Sequence, residues 1–146
     1  MKYIDKERAK TVEEGLAFIT LINDLEANNN AVTWAITLKG DPKLIGTVCL
    51  WNFKKAHYRA EIGYALHPDL QRQGFMQEVI TTVLDYGFNT LHLHSIEAII
   101  NPGNTASASL LEKNNFVREA YYKENFFYNG HFLDSAVYSL LKANFK

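Results

Sequence analysis

Cysteine is nearly missing from this chain. Cys49 stands alone, so no internal disulfide can form. Hydrophobic residues make up 47% of the 146 residues, yet no run is long and apolar enough to cross a bilayer. The opening Met-Lys-Tyr-Ile-Asp-Lys-Glu-Arg has no apolar core behind its basic residue and does not read as a signal peptide. The lone thiol and the missing leader point to the cytoplasm, with no membrane partner. An excess of either charge is also absent. A formal net charge of −1 argues against nucleic acid as a partner, while a small anion held by backbone amides stays open. Neither Gly-x-Gly-x-x-Gly nor Gly-Lys-Ser/Thr occurs, which removes the dinucleotide fingerprint and the Walker loop. There is no repeat, low-complexity segment or interior linker, so residues 1–146 are expected to form one domain.

What is present reads as alternating strands and helices. Thr11 and Glu14 make a Thr-x-x-Glu capping box, opening a helix with Leu16, Ile19, Ile22 and Leu25 on one side. Residues 32–38 alternate as a strand and are followed by a Lys39-Gly40-Asp41-Pro42 turn. Residues 44–53 and 58–66 predict two more strands, with Gly46 at a bulge or close contact. Short connections predict an antiparallel meander of these three. A helix is expected over 74–90, a strand over 95–100, a helix over 104–114, and closing strands over 116–122 and 132–141, joined near Asn129-Gly130. The order predicts a mixed α/β domain on one central sheet, with a β-α-β crossover in its middle.

Gln71-Arg72-Gln73-Gly74-Phe75-Met76 lies between the Glu61–Leu66 strand and the helix of Met76, Val79, Ile80, Val83 and Leu84. A glycine loop feeding a helix start converges unpaired N–H groups on one point, a geometry suited to phosphate. The competing reading is a plain turn glycine. His92 and His94 have period-two spacing, but two ligands do not fill a zinc sphere and no carboxylate or cysteine stands at a suitable offset. No metal is expected. The aromatic clusters Phe126-Phe127-Tyr128 and Trp51-Asn52-Phe53 read as core and hairpin contacts, and cleft-side members could line an acceptor site.

Residues 71–76 resemble the acyl-CoA pyrophosphate loop of the GNAT acetyltransferases, Gln/Arg-x-x-Gly-x-Gly/Ala. Met76 in the last place is similar to the branch that includes the ribosomal-protein N-terminal acetyltransferases (RimJ/RimL type). The resemblance extends to Glu61-Ile62-Gly63-Tyr64, to Asn101 through Ser107, to Asn115-Phe116, and to Tyr128-Asn129-Gly130 with Asp134 and Tyr138. Together these cover residues 44–142. It implies a mixed, mostly antiparallel sheet, splayed in the middle and flanked by helices. Two departures stand out. The strand and helix with which the family begins are expected to be missing ahead of Thr11, which would leave a sheet edge open to self-association. Leu111 occupies the place of the tyrosine that in many relatives protonates the departing thiolate.

The resemblance implies acetyl-CoA as co-substrate and a primary amine as acceptor: a protein or peptide N-terminal α-amine first, with polyamines, amino acids and amine antibiotics also open. A non-catalytic acyl-CoA sensor and a phosphate-binding interaction scaffold are the competing classes. The family's strand before the loop is bulged and splays from its parallel neighbour to admit the pantetheine arm. The resemblance then gives the backbone of Tyr64, Ala65 and Leu66 to the thioester carbonyl, and Gln71, Arg72, Gln73, Gly74, Phe75 and Met76 to the pyrophosphate. Asn104 is expected to contact the pantetheine, or simply to cap its helix. Glu61 is the candidate general base, set against a solvent-facing strand carboxylate. Ser107 is the candidate near the thioester sulfur, set against a small packing residue. Tyr64 and Tyr138 are candidates for the missing acid, set against core packing.

Overall fold

A computed structural model describes residues 30–146, Lys39 and Arg72 excepted. The helix expected after Thr11 lies outside the described residues. Among the described residues, six strands form one sheet in the order β1-β2-β3-β4-β6-β5. Ala31–Thr37 is β1, Leu44–Lys54 is β2, Arg59–Leu66 is β3, Ser95–Ile100 is β4, Val117–Tyr128 is β5 and His131–Leu141 is β6. The first three strands form the expected antiparallel meander. β3 and β4 run parallel, joined by helix α1, Phe75–Asp85, which is the expected crossover. Helix α2, Thr105–Lys113, links β4 to the closing hairpin.

One face of the sheet carries the core. Even-numbered β3 residues Ala60 and Ile62 face the same side as Val48 and Leu50 of β2, because these strands pair in register. Ile80, Val83 and Leu84 of α1 and Leu111 of α2 pack there and are buried. The helices lie side by side, with Gln77 and Asn114 exchanging two hydrogen bonds of 2.8 Å. The opposite face is polar where β3 meets β4, through Arg59, Glu61, Ser95 and Glu97.

Three expectations are corrected. The helix expected to run to Thr90 ends at Asp85, and Tyr86–Thr90 form a π-helical turn. This turn seats Gly87 against Ile96 and Leu50, where a β-carbon would stand 2.9 Å from the Ile96 side chain. The first closing strand runs on past Tyr122 to Tyr128, bulging where residues 123–125 face Asp134 alone. Asp134 accepts the Glu124 amide at 2.8 Å, so the bulge is held from across the hairpin. The bulge expected in the strand before the loop lies on its neighbour: Asn52 and Phe53 of β2 face Ala60, with Asn52 in a left-handed conformation at φ 51°.

Candidate active site

The sheet opens in its middle. β3 and β4 pair over three rungs only: Arg59 with Ser95, Ala60 with Ile96, and Glu61 with Glu97. Beyond Glu61, β3 stays with β2 as far as Leu66, while β4 stays with β6 as far as Ile100. A seam with two unpaired strand edges results. Ladder parity fixes what those edges present. The His67 N–H donates to the Ile45 carbonyl at 2.7 Å, so odd-numbered residues of β3 direct their backbone groups to β2. The Tyr58 carbonyl accepts from the His94 amide at 2.7 Å, in keeping with even-numbered residues turning toward β4. The Ile62 amide is taken up by the Glu97 carbonyl in the last rung, and the amides of Tyr64 and Leu66 point into the seam beyond it. Of the three residues expected at the thioester carbonyl, Tyr64 and Leu66 turn their amides to the seam, and the Ala65 amide faces β2.

The loop beyond β3 is braced by its own side chains. Gln71 donates to the Leu66 carbonyl at 3.1 Å and Gln73 to the Asp69 carbonyl at 3.0 Å. Both amide side chains are thus turned back onto the loop. Gly74 precedes α1 with φ 83° and ψ −4°, a left-handed conformation that favours glycine. The first hydrogen bond of the helix is donated by Glu78 to the Gly74 carbonyl at 3.3 Å. The amides of Gly74, Phe75, Met76 and Gln77 precede it and are the orphan donors of the helix start. Among the described residues other than its chain neighbours, none comes within 4 Å of where a Gly74 β-carbon would be. Arg72 lies outside the described residues.

On the helix side of the seam, the Tyr64 hydroxyl is hydrogen-bonded to Ser107 Oγ. Asn104 caps α2, its Oδ1 accepting the Ser107 amide at 3.1 Å. Ser107 is buried, and burial pushes the Tyr64 hydroxyl above its ordinary pKa while the Ser107 bond acts in the opposite sense. Leu111, one turn further along α2, is buried in the core. Tyr138, the other hydroxyl considered for the acid, is buried in the core opposite Ala98.

Glu61 lies on the other side of the sheet, at the closed end of the seam. It is not the solvent-facing carboxylate of the competing reading, being only 8% exposed. Its pKa is pushed up to about 7, chiefly by burial and further by the Glu97 charge; the Asn52 hydrogen bond and Lys54 oppose the shift. Asn52 Nδ2 donates to Glu61 Oε2 at 3.4 Å.

Arg59, Glu97, Ser95 and Ser139 did not stand out in the sequence. Arg59 donates to Ser95 Oγ at 2.8 Å, to Glu97 Oε2 at 2.9 Å and to Ser139 Oγ at 2.7 Å. The available signal was polar residues at alternate positions of strands whose other face is apolar: Arg59 and Glu61, then Ser95 and Glu97. His92 and His94 lie in the approach to β4, where the His94 backbone bonds Tyr58 and Lys142.

Comparison with known proteins gives this geometry a family. An acetyltransferase (GNAT) domain matches residues 1–117. YoaA of Bacillus subtilis (strain 168), an uncharacterized N-acetyltransferase, is 34% identical over 141 residues, covering 97% of this chain and 80% of that protein. The [ribosomal protein uS5]-alanine N-acetyltransferase of Escherichia coli (strain K12) is 26% identical over 125 residues, 85% of this chain and 64% of that one. The structure of spermidine N-acetyltransferase from Vibrio cholerae in complex with CoA and spermine superposes with a TM-score of 0.86 at 28% identity, covering 99% of this chain and 83% of that one. A domain match over most of the length, a relative sharing a third of its residues and a sheet that opens between β3 and β4 agree that the chain belongs to the GNAT family of N-acetyltransferases.

Proposed function

We propose that this chain moves an acetyl group from acetyl-CoA to a primary amine, with the α-amine of a protein or peptide as its first acceptor. The observation that carries the reading is the seam. Its β3 edge aims the Tyr64 and Leu66 amides at one gap, with the helix start at Gly74 at one end and Glu61 at the other. The residues fit the coenzyme on that ground: orphan amides from Gly74 onward suit a diphosphate, and an unpaired strand edge suits an extended amide-bearing arm. Bound there, acetyl-CoA supplies an acetyl group activated on sulfur.

The chain's own groups then divide the proton transfers. Glu61 takes the proton that the amine releases as its nitrogen bonds to the carbonyl carbon. Ser107, with Tyr64 behind it, gives a proton to the sulfur as the carbon–sulfur bond breaks. Amides of the β3 edge offer donors to the negative charge that develops on the carbonyl oxygen. The preference for an α-amine is supported by the likeness to the uS5-alanine enzyme. The likeness to the spermidine enzyme favours a polyamine as the second reading.

The test is free-thiol release from acetyl-CoA with alanine- and serine-ended peptides, spermidine and spermine. Turnover fastest with peptides supports the first reading, and with polyamines the second. Tight binding of acetyl-CoA with no turnover on any amine would leave a sensor instead.

A further inference from the structure

We propose that Arg59 is a positioning residue for the transfer: it holds Glu97 in a fixed ion pair, so that Glu61 is the carboxylate of their shared rung left to accept a proton. The inference rests on the assignment of Glu61 as base and adds what makes that assignment selective.

Glu61 and Glu97 stand side by side on the last rung before β3 and β4 separate, and both are buried. Two such carboxylates repel, and without a further charge they would share one proton and compete for the role. The surroundings break the symmetry. Glu97 Oε2 meets Arg59 at 2.9 Å, and Glu97 Oε1 lies 3.5 Å from Lys54 Nζ. Each oxygen of Glu97 is thus opposed by a cation. Glu61 has the neutral Asn52 amide at 3.4 Å. Among the described residues, the groups around the pair are Cys49, Asn52 and Lys54 from β2, Arg59 from β3, Ser95 from β4 and Ser139 from β6. Cys49 adds no further negative charge, because burial pushes its thiol up.

Arg59 suits this task because its guanidinium is a planar fork with several donors, and a lysine cannot reproduce three directed bonds from one point. Bonding Ser95, Glu97 and Ser139 together, it ties β3 to β4 and to β6 beyond. The strands diverge just after the Glu61–Glu97 rung. Arg59 therefore fixes both the carboxylate that stays paired and the place where the seam begins.

The test compares Arg59→Gln, Arg59→Lys and the double variant Arg59→Gln/Glu97→Gln with the parent chain. Two readouts are taken: the carboxyl ¹³C titration of Glu61 in the protein alone, assigned by its loss in Glu61→Gln, and kcat and KM by thiol release. In Arg59→Gln the Glu61 midpoint should rise by about one pH unit, because the pair loses the nearer of its two cations. The kcat at neutral pH should fall about tenfold with KM for acetyl-CoA unchanged, as expected for a misplaced base. Arg59→Lys should reverse some of that rise. The double variant removes both charges and should bring the midpoint below that of the parent, since Glu61 then has no like charge beside it. A merely structural arginine would lower the folded fraction without moving the midpoint in opposite directions. If Arg59→Gln does not fold, an unmoved midpoint in the double variant overturns the proposal. A full rate in Glu61→Gln would remove Glu61 as base, and the titration in the protein alone would still report whether Arg59 controls its ionisation.

Discussion

Tyr64 on β3 and Ser107 in the first turn of α2 meet hydroxyl to hydroxyl on the helix side of the seam. Leu111, one turn further along α2, is buried in the core and offers no proton. Ser107 is held twice, by Tyr64 at its oxygen and by Asn104 at its amide. In Ser107→Ala, kcat should fall by about one hundredfold, the lower end for loss of a positioned proton donor, with KM for acetyl-CoA little changed. In Tyr64→Phe, Ser107 keeps its own proton but loses its partner, and kcat should fall by about tenfold. Steady-state thiol release separates the two. Equal losses in both variants would make Tyr64 the donor to sulfur.

Glu61 gives a stability prediction independent of any acceptor. Its folded pKa of about 7 is raised above that of an unfolded glutamate. The folded chain therefore binds more protons than the unfolded chain between the two values. Stability falls as pH rises from about 4.5 toward 7, because the unfolded state sheds its proton first. Glu61→Gln cannot ionise and escapes that loss. Near pH 5 the variant and the parent should unfold at similar urea concentrations. At pH 8 the variant should be the more stable by about 1–2 kcal/mol, allowing for residual solvent screening of a partly buried group. Its kcat at neutral pH should fall by about one hundredfold with affinity for CoA retained. A parent chain equally stable at both pH values would contradict the raised pKa.

Gly74 tests the helix start. Its backbone is left-handed and no described residue beyond its chain neighbours crowds a β-carbon there, so alanine is strained without being obstructed by them. Gly74→Ala should cost about 1 kcal/mol of stability and weaken CoA binding modestly. Gly74→Glu adds bulk and a negative charge in front of the amides and should abolish binding. Calorimetric titration with CoA compares them. Equal affinity in Gly74→Glu and the parent would remove this loop from the site.

The seam's strands were legible because β3 alternates cleanly and its neighbours follow after short turns. Its polar side was not. Arg59 and Ser139 are 80 residues apart in the chain and meet, with Glu97 between them, only through β4–β6 pairing. Which way Glu61 faces depended on which residues it would be buried beside, and period-two alternation carries no such information. The end of α1 was hidden because Phe88 continues the helical spacing through the π-helical turn. The length of β5 was hidden because Lys123-Glu124-Asn125 reads as the polar end of a strand. Only the bulge opposite Asp134 shows that the strand continues. Gly46 was anticipated as a bulge or close contact, and it is a close contact beside one.

Gly46 gives the last prediction, on the half-sheet that carries the seam. A β-carbon there would stand 2.4 Å from the Ala65 carbonyl oxygen and 3.1 Å from Leu66 Cα. These are backbone atoms of β3, so no side chain can turn aside to make room. Either β2 and β3 separate at this rung or the substitution is absorbed as strain, and Gly46→Ala should lose about 1–3 kcal/mol. The displaced stretch of β3 includes Tyr64 and Leu66, whose amides face the gap. CoA affinity should therefore fall in Gly46→Ala even under conditions where the variant is fully folded. Gly40→Ala is the control: unlike Gly46 its backbone is left-handed, at φ 82°, no described residue beyond its chain neighbours lies within 4 Å of a β-carbon, and its turn is remote in sequence from the β3–α1 loop. It should lose about 1 kcal/mol and bind CoA normally. Urea unfolding and calorimetry on the two variants give the comparison. Full CoA affinity in folded Gly46→Ala would mean that the β2–β3 spacing does not govern the seam.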